Sequence, residues 1–447
     1  MACPRRRTVF AATLKFGTPA GASHPSLLVR FKFHLAICSI WRRVLLTISR
    51  RRFLRNTGLA LAGASLERPN PVSHAATILS GPSKKVAILG AGMAGLVAGY
   101  ELTQLGHDVT ILEARMRPGG RVHTLREPFS DGLYADAGAA RIPDEHDLTL
   151  KYVKLFNLSL EPMYPSTLSA LTFDSDGKRR EGPMSSFTEA LGGHFGGDLG
   201  GNPSRWRKIK GGTDLLPGAF AQRLADKIHY GSPVVRVETD AKKASVVFLH
   251  AGSPQTITAD RVLCTIPFSV LRNVELPGLN ERKLEVIRRV HYDAVARVYL
   301  QSRNRFWEDK GLNGFAFTAS AVEIWHPTWS QNGPRGILMT YARPGEAERI
   351  TNLKDAERIS STLKELDGYF PGLQANFEGA ATKCWLEDEW ARGAWSFVGF
   401  RDFGRSIEVE GGRIHFAGEH LSAWPSWMQG ALSSGLRAVK EIDEASV

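Results

Sequence analysis

A glycine-rich junction near residue 90 has the residue types and the spacing that bind a phosphate group. The apolar run at residues 84–89 predicts a short strand, and residues 96–102 have helical character. Between them lies the sequence Gly-Ala-Gly-Met-Ala-Gly at residues 90–95. In this pattern the first glycine allows a tight turn, the second lets a phosphate approach the backbone, and the third permits close packing of helix on strand. Because the helix amino terminus then faces a pyrophosphate, the junction predicts a dinucleotide site.

A second strand and a second glycine turn follow this junction. Residues 107–113 predict a strand that ends at Glu113, an acid placed to hold a ribose hydroxyl. The glycine pattern alone is weak, because sites for NAD, NADP and FAD share it. Further along, Gly119 and Gly120 predict another turn, and Arg121 follows as a cation near a pyrophosphate. NAD dehydrogenases do not need this second turn, and an ordinary surface turn is the alternative explanation of it.

The order of these segments resembles the flavin-containing amine oxidase family, in which a Gly-Gly-Arg turn follows the ribose-binding acid. The carboxyl-terminal part is similar as well, because residues 412–420 predict a strand that runs into a glycine turn and a helix is predicted to open at Trp427. In the family this strand and helix meet the flavin, where the helix amino terminus stabilises the anionic reduced ring. Residues 260–267 and 232–236 resemble two further strands of the family.

The resemblance implies a set of cofactor-binding residues from both ends of the chain. They are Gly90, Gly92, Met93, Ala94, Gly95, Glu113, Ala114, Arg115, Gly119, Gly120, Arg121, Gly138, Ala139, Ala140, Arg141, Val234, Gly418, Glu419, Trp427, Met428, Gln429, Gly430, Ala431 and Leu432. Ala394 stands where monoamine oxidases bear the cysteine that bonds to FAD. The resemblance therefore implies non-covalent FAD.

One arginine carries the prediction of the substrate. In the family, the segment after the second turn lies over the flavin, and here it spans residues 136–143. L-amino acid oxidases carry an arginine at the place of Arg141, where the planar guanidinium can grip a carboxylate with two hydrogen bonds. Monoamine oxidases lack it, so Arg141 predicts an L-amino acid substrate. The alternative is a structural arginine paired to an acid such as Asp136 or Asp144.

Aromatic side chains and a second arginine are expected to complete the substrate pocket. Trp395 and Trp427 match places where family members set walls that exclude water, although large aromatics also serve core packing. Either Trp325 or His326 matches a tyrosine that supports the substrate carboxylate in L-amino acid oxidases. Arg297 stands where amine oxidases usually place a lysine that assists oxygen activation, and an ion-paired strand arginine is the alternative. Arg297 and Trp427 are thus the predicted catalytic residues.

The resemblance implies oxidative deamination of an L-amino acid by hydride transfer to the flavin. Dioxygen would reoxidise the flavin, and the products would be a 2-oxo acid, ammonia and hydrogen peroxide. An amine or polyamine oxidase of the same family and a flavin-binding protein without turnover are the alternatives. No metal-ligand spacing and no Ser-His-Asp arrangement in the sequence competes for the role.

A chain of 447 residues can fill two domains, and an α/β, two-domain (α+β) fold is expected. The Rossmann-like FAD-binding domain would be discontinuous, and the substrate-binding domain would contain a mixed sheet and a reduced helical part. The FAD-binding domain is assigned to residues 84–150, 208–270 and 380–447, and the substrate-binding domain to residues 151–207 and 271–379. L-amino acid oxidases usually insert a long helical region before the stretch matched by Lys210. Between Tyr164 and Lys208 this chain is rich in Gly and Ser, which predicts a loop.

The amino-terminal segment, residues 1–83, accounts for the excess of basic residues. The chain has 57 Lys and Arg against 45 Asp and Glu, but 12 basic residues lie between Arg5 and Arg55, where no acid occurs. Net charge therefore gives no support to nucleic-acid binding. Residues 49–55 and the apolar residues 57–66 resemble a twin-arginine export signal, with a cytoplasmic enzyme as the alternative. No segment reaches the roughly 20 apolar residues of a membrane span, and a homodimer is among the expectations.

Overall fold

The structure is a computed structural model that describes residues 81–195, 201–318, 320, 322–396 and 412–446. The predicted export signal lies outside the described residues. The strands are β1 Lys85–Leu89, β2 Asp108–Leu112, β3 Thr124–Leu125, β4 Ala135–Asp136, β5 Leu160–Pro162, β6 Ser169–Phe173, β7 Arg179–Gly182, β8 Arg207–Ile209, β9 Ile228–His229, β10 Val234–Thr239, β11 Ala244–His250, β12 Ser253–Ala259, β13 Arg261–Cys264, β14 Tyr292–Asp293, β15 Ala296–Ser302, β16 Leu312–Phe317, β17 Glu323–Trp325, β18 Gly336–Ala342, β19 Phe377–Cys384, β20 Trp395–Ser396 and β21 Ile414–Phe416.

Helices join these strands and cover the sheets. They are α1 Met93–Gln104, α2 Asp147–Leu155, α3 Met184–Phe195, α4 Leu215–Arg223, α5 Phe268–Leu271, α6 Glu281–Arg289, α7 Glu346–Thr351, α8 Asp355–Tyr369, α9 Leu373–Asn376 and α10 Met428–Glu444. Short 3-10 turns occur at Pro203–Arg205, Glu308–Lys310 and Glu419–Leu421. Among the described helices, none is both long and apolar enough to cross a membrane.

A parallel sheet of five strands in the order β21-β13-β1-β2-β9 forms the first half of the structure. The sequence of β1 is apolar after its first residue because the strand is covered on both faces, as is usual for parallel sheets. Ile88 packs in the cluster that includes α1 and α10, whereas Ala87 and Leu89 pack in the cluster on the other face. An antiparallel meander, β10-β11-β12, contributes Val246 to that second cluster.

A mixed sheet of seven strands in the order β19-β15-β18-β17-β16-β6-β7 forms the second half. Its strands pair antiparallel except β16 with β6, which run parallel. Helices α7 and α8 contribute Ile350 and Leu366 to the core under this sheet. The parallel and the mixed sheet together confirm the predicted α/β fold class.

Four predicted domain limits fall inside elements of this structure, because those at residues 150/151, 207/208, 270/271 and 379/380 cut α2, β8, α5 and β19. The limit at residue 380 cuts β19, which begins at Phe377 and pairs with β15 of the mixed sheet. Helix α6 was assigned to the substrate-binding domain, but its Val286 and Ile287 pack against the parallel sheet. Because the described residues fall in one compact unit, the domain boundaries themselves stay a prediction.

The expectation of a loop between Tyr164 and Lys208 is wrong over part of that stretch. The strands β6 and β7 and the helix α3 lie there. Met184, Phe187 and Leu191 recur at helical spacing and are buried in one cluster, so their burial outweighs the glycines near the end of α3. Residues 196–200 of the Gly-rich passage lie outside the described residues.

Close contact between α10 and α1 gives a testable prediction. A Cβ at Gly435 of α10 would stand 2.6 Å from the carbonyl oxygen of Ala94 in α1. Gly435→Ala should therefore lower the free energy of unfolding by about 1–3 kcal/mol through overpacking. Gly368→Ala in α8 is the matched control, because no atom lies within 4 Å of its new methyl group. That control should raise stability slightly, since alanine is the better helix former.

Thermal and urea unfolding of the two variants beside the unchanged protein measure the difference. Equal stability of the Gly435 and Gly368 variants would contradict the close packing of α1 on α10.

Candidate active site

A cavity of about 580 Å³ runs from the carboxyl edge of the parallel sheet to the mixed sheet. This volume is within the range of about 300–1,000 Å³ that is usual for small-molecule and cofactor sites. Most of the predicted residues line it: Gly90, Gly92, Met93, Ala94, Glu113, Ala114, Arg115, Gly119, Gly120, Arg121, Gly138, Ala139, Ala140, Arg141, Val234, Arg297, Trp325, Trp395, Gly418, Glu419, Trp427, Met428 and Ala431. The structure thus brings both ends of the chain to one cavity.

The glycine turn after β1 is shaped to admit a large group next to the backbone. Gly90 has a φ of +103°, which favours glycine. A Cβ at Gly95 would stand 2.0 Å from the carbonyl oxygen of Gly90, so the helix approaches the turn closely, as the pattern predicted. At Gly92, by contrast, no atom lies within 4 Å of the place of a Cβ. The amino terminus of α1 therefore opens toward the cavity, as a pyrophosphate site requires.

Hydrogen bonds fix the acid at the end of β2 and join the two glycine turns. Glu113 accepts one hydrogen bond from the amide of Ala91 at 2.7 Å and another from the amide of Arg115 at 2.8 Å. The amide of Gly119 donates to the carbonyl of Ala91 at 2.8 Å. Burial raises the pKa of Glu113, and the two amide hydrogen bonds oppose that shift. A carboxylate held in this way at the cavity wall fits a ribose hydroxyl.

An ion pair connects the second turn to the carboxyl-terminal segment. Arg121 donates to Glu419 at 2.8 Å and to the carbonyl oxygen of Ala394 at 3.0 Å. Glu419 also accepts from the amide of Ser426 at 2.8 Å and from the hydroxyl of Ser396 at 3.1 Å. Burial raises the pKa of Glu419, but Arg121 outweighs this effect and the pKa lies below its ordinary value. The pair holds residues 298 positions apart against the cavity.

Two arginines converge on one buried carboxylate at the mixed-sheet end of the cavity. Glu323 is fully buried and forms ion pairs with Arg141 and with Arg343. It also accepts a hydrogen bond from the indole of Trp325 at 2.9 Å. Burial raises the pKa of Glu323, but the two guanidinium groups hold it below its ordinary value. Arg141 is thus paired to an acid, although the acid is neither Asp136 nor Asp144.

Three stacked aromatic rings line the same end of the cavity. The ring of Tyr341 lies parallel to Trp325, with centroids 5.3 Å apart, and nearly parallel to Trp395 at 6.3 Å. The guanidinium of Arg297 lies 4.5 Å from the centroid of the Tyr341 ring and donates to the carbonyl of Asp136 at 2.7 Å. These contacts place Arg297 at the cavity wall, and no acid among the described residues forms an ion pair with it.

The family is settled by comparison with known proteins. The model of the family described as flavin containing amine oxidoreductase matches residues 93–195 and 184–443. The chain belongs to this family. Its members carry FAD, and the glycine turns and Glu113 described above are suited to hold the two phosphates and the ribose.

Curated relatives of this family member include the flavin-dependent L-tryptophan oxidase RebO of Lentzea aerocolonigenes, 28% identical over 80% of this chain and 98% of the relative. The L-amino-acid oxidase of Gloydius halys is 26% identical over 81% of this chain and 90% of the relative. Among solved structures, a putrescine oxidase bound to putrescine has a TM-score of 0.69 at 20% identity and covers 81% of this chain and 99% of its own. At that identity the likeness shows the fold alone.

Some predicted residues of this flavoenzyme do not line the cavity. Gly95 packs under the turn. Three residues of α10 point away from the cavity because successive residues of a helix face different sides. Gln429 accepts a hydrogen bond from the amide of Thr149 at 3.1 Å, Leu432 packs in the core, and Gly430 abuts the carbonyl of Trp424.

His326 is also placed away from the cavity. Its Nδ1 lies 3.2 Å from the carbonyl oxygen of Asn313, and its ring packs against Trp307 at 5.0 Å. Burial lowers its pKa well below the ordinary value, so the ring is neutral. Of the two residues considered at this position, Trp325 is the one that lines the cavity.

Sequence reasoning missed three residues of the site, Glu323, Tyr341 and Arg343. Tyr341 and Arg343 line the cavity, and Glu323 lies behind it as their neighbour. All three stand in or next to buried strands of the mixed sheet, where an aromatic or a charged residue has no local motif. A buried glutamate in an apolar strand was the available indication, because such a group must find a positively charged partner.

Proposed function

We propose that the protein is an FAD-dependent oxidase that deaminates an L-amino acid. The observation that carries the proposal is Arg141, a buried arginine at the cavity wall whose acid, Glu323, is shared with Arg343. Its guanidinium lines the cavity, where it can hold a substrate carboxylate with charge-assisted hydrogen bonds. The relatives named as L-amino acid oxidases support the same substrate class.

The side chains of this enzyme bind and orient the substrate rather than supply a nucleophile. FAD, when bound, would supply the acceptor for the hydride that leaves the α-carbon. Arg141 holds the α-carboxylate, and the walls formed by Trp325, Trp395 and Trp427 exclude water, which keeps the amine neutral. After the amine nitrogen loses a proton, the imine product is hydrolysed by water to a 2-oxo acid and ammonia. The two electrons would pass on to dioxygen, which with two protons would become hydrogen peroxide.

Replacement of Arg141 tests the substrate class. Arg141→Met keeps an unbranched apolar stem and removes the charged guanidinium, while Arg343 and Trp325 still bind Glu323. The value of kcat/KM for L-amino acids should fall about a hundredfold, because two charge-assisted hydrogen bonds are lost. Peroxide release, measured with L-amino acids and with the amines that lack their carboxylate, gives the ratio.

The bound FAD of this variant should stay at one per chain, which serves as the control for folding. An enzyme that oxidises the amines better than the amino acids, with a ratio unchanged by Arg141→Met, is an amine oxidase, and the proposal is then wrong.

We also propose that FAD is bound without a covalent bond. Among the described residues that line the cavity there is no cysteine and no histidine, and Ala394 is one of them. Cys264 is buried behind the cavity, and burial raises the pKa of its thiol to about 12. Acid precipitation should therefore release all the flavin into the supernatant, as measured by its absorbance. Flavin that stays with the precipitated protein would contradict non-covalent binding.

Export through the twin-arginine route is a further proposal, supported by residues 49–55 of the sequence. If it is right, the double change Arg50→Lys and Arg51→Lys should retain the protein inside a bacterial host, because this route reads the arginine pair itself. The matched control is Arg5→Lys with Arg6→Lys, which keeps the same charge outside the motif. Cell fractionation measures both. Equal export of the two variants would contradict export by the twin-arginine route.

A further inference from the structure

A second, smaller cavity shares no described lining residue with the active-site cavity. It has a volume of about 260 Å³ and lies where the residue after α5, the carboxyl end of α6 and the loop before β20 meet. Arginine dominates its wall, and no acid is among the described residues that line it. This arginine pocket is defined by Arg272, Arg288, Arg289, His291 and Arg392. A concave site lined by positive side chains attracts a negatively charged ligand.

Two arginines of the pocket donate to neutral carbonyl groups. Arg272 donates from Nε to the carbonyl of Ile287 at 3.0 Å and from a second nitrogen to the carbonyl of Val290. Arg392 donates to the backbone carbonyl of Glu389 at 3.4 Å. Neither arginine forms an ion pair with an acid in the part of the chain that the structure describes. Their charges are therefore available to a negatively charged ligand.

The two arginines of α6 have acids, but these pairs are exposed. Arg288 pairs with Glu281 and Arg289 pairs with Glu285, each at 2.6 Å. The two arginine side chains are 59% and 68% exposed. Exposed pairs of this kind contribute little to stability. A guanidinium has five N–H donors, so Arg288 and Arg289 can bind a ligand in the pocket beside their acids.

His291 adds a donor next to these arginines. Its Nε2 lies 3.4 Å from Asp293, and the histidine side chain is 77% exposed. Asp293 lines the active-site cavity, where it accepts a hydrogen bond from the indole of Trp395 at 3.2 Å. The acid that contacts His291 thus faces the other cavity, and an exposed imidazole is free to turn toward a ligand in the pocket.

The backbone of Arg392 is held in a strained conformation. Its φ is +46°, in the left-handed region that favours glycine. Residues other than glycine in this region are strained, and they concentrate at sites that bind ligands. The strain and the pocket therefore coincide at one arginine.

The shape and the charge of the pocket favour a phosphate group. Its volume lies below the range of about 300–1,000 Å³ that is usual for larger ligands. The arginines come from three segments of the chain, so their donors approach from several directions. A tetrahedral phosphate presents oxygens in several directions and carries nearly two negative charges at neutral pH. A carboxylate has one charge and two oxygens in a single plane.

We propose that the arginine pocket binds a phosphate group, either as inorganic phosphate or as the phosphate of a small organic ester. This site goes beyond the proposed function, because it shares no described lining residue with the cavity that would hold FAD and substrate. Guanidinium groups bind phosphate oxygens with charge-assisted hydrogen bonds, often in pairs.

Isothermal titration calorimetry of the FAD-loaded enzyme with inorganic phosphate gives the first test. The loaded enzyme is used so that the cofactor occupies its own phosphate site, and sodium chloride keeps the ionic strength constant. Saturable binding of one phosphate per chain is expected, with a dissociation constant of about 1 mM or lower. Heat that does not saturate, or that equals the heat with chloride alone, would overturn the proposal.

The variants Arg289→Gln and Arg392→Gln place the phosphate in the pocket. Each should raise the dissociation constant about tenfold, which corresponds to one charge-assisted hydrogen bond. Both side chains are exposed, so the FAD content and the unfolding temperature without phosphate should stay unchanged. Arg282→Gln is the matched control, because it removes the same charge from an exposed arginine of α6 that does not line the pocket.

The control should bind phosphate as the unchanged enzyme does. Equal weakening in all three variants would show a general effect of surface charge, and the proposal would then be wrong. Undiminished binding in both pocket variants would place the phosphate elsewhere and would also overturn it.

The same titration with glycerol 3-phosphate separates the two sources of the phosphate group. Tighter binding of glycerol 3-phosphate than of inorganic phosphate identifies an organic ester as the ligand. Equal or weaker binding identifies free phosphate. In either case Arg392→Gln should weaken the binding, and a variant that binds both as before contradicts the site.

Discussion

The pairing of β1 with β2 on one side and β13 on the other determines where the site forms. These strands run parallel, and β21 joins them beside β13. Because the carboxyl ends of parallel strands meet at one edge of a sheet, the turns after all four strands must come together. The hydroxyl of Thr265, just after β13, donates to the carbonyl of Leu89 at 2.8 Å and so fixes that edge. Segments from both ends of the chain become one cofactor site through this register.

The register of the mixed sheet has the same effect at the other end of the cavity. Arg297, Tyr341 and Glu323 are opposite one another on β15, β18 and β17. A slip of one residue in any of these strands would turn its side chains to the opposite face. The positions of Arg297, Glu323 and the ring of Tyr341 therefore depend on strand pairing, and not on any local motif.

The contrast between local motifs and the pairing of distant strands explains how much of the site the sequence could predict. The glycine turn, Glu113 and the strands around them were predictable because each depends on neighbours along the chain. Glu323 and Tyr341 were not, since their partners are set by the pairing of strands far apart in sequence. Gln429 and Leu432 were assigned to the cofactor because a contiguous range was carried over onto a helix, which turns about 100° per residue. At α3 the glycines of the sequence concealed an apolar stripe at helical spacing.

The two ends of the cavity supply positive charge from different groups. At the cofactor end the arginines already have acids: Arg121 pairs with Glu419, and Arg115 pairs with Asp388. They need not neutralise the cofactor, because a pyrophosphate can be met by the amides and the positive dipole end of α1. At the substrate end the wall is built from strands, whose amides are used within the sheet, so side chains must supply the positive charge. The guanidinium groups of Arg141, Arg297 and Arg343 therefore line that end of the cavity, whereas glycine turns and a helix amino terminus line the other.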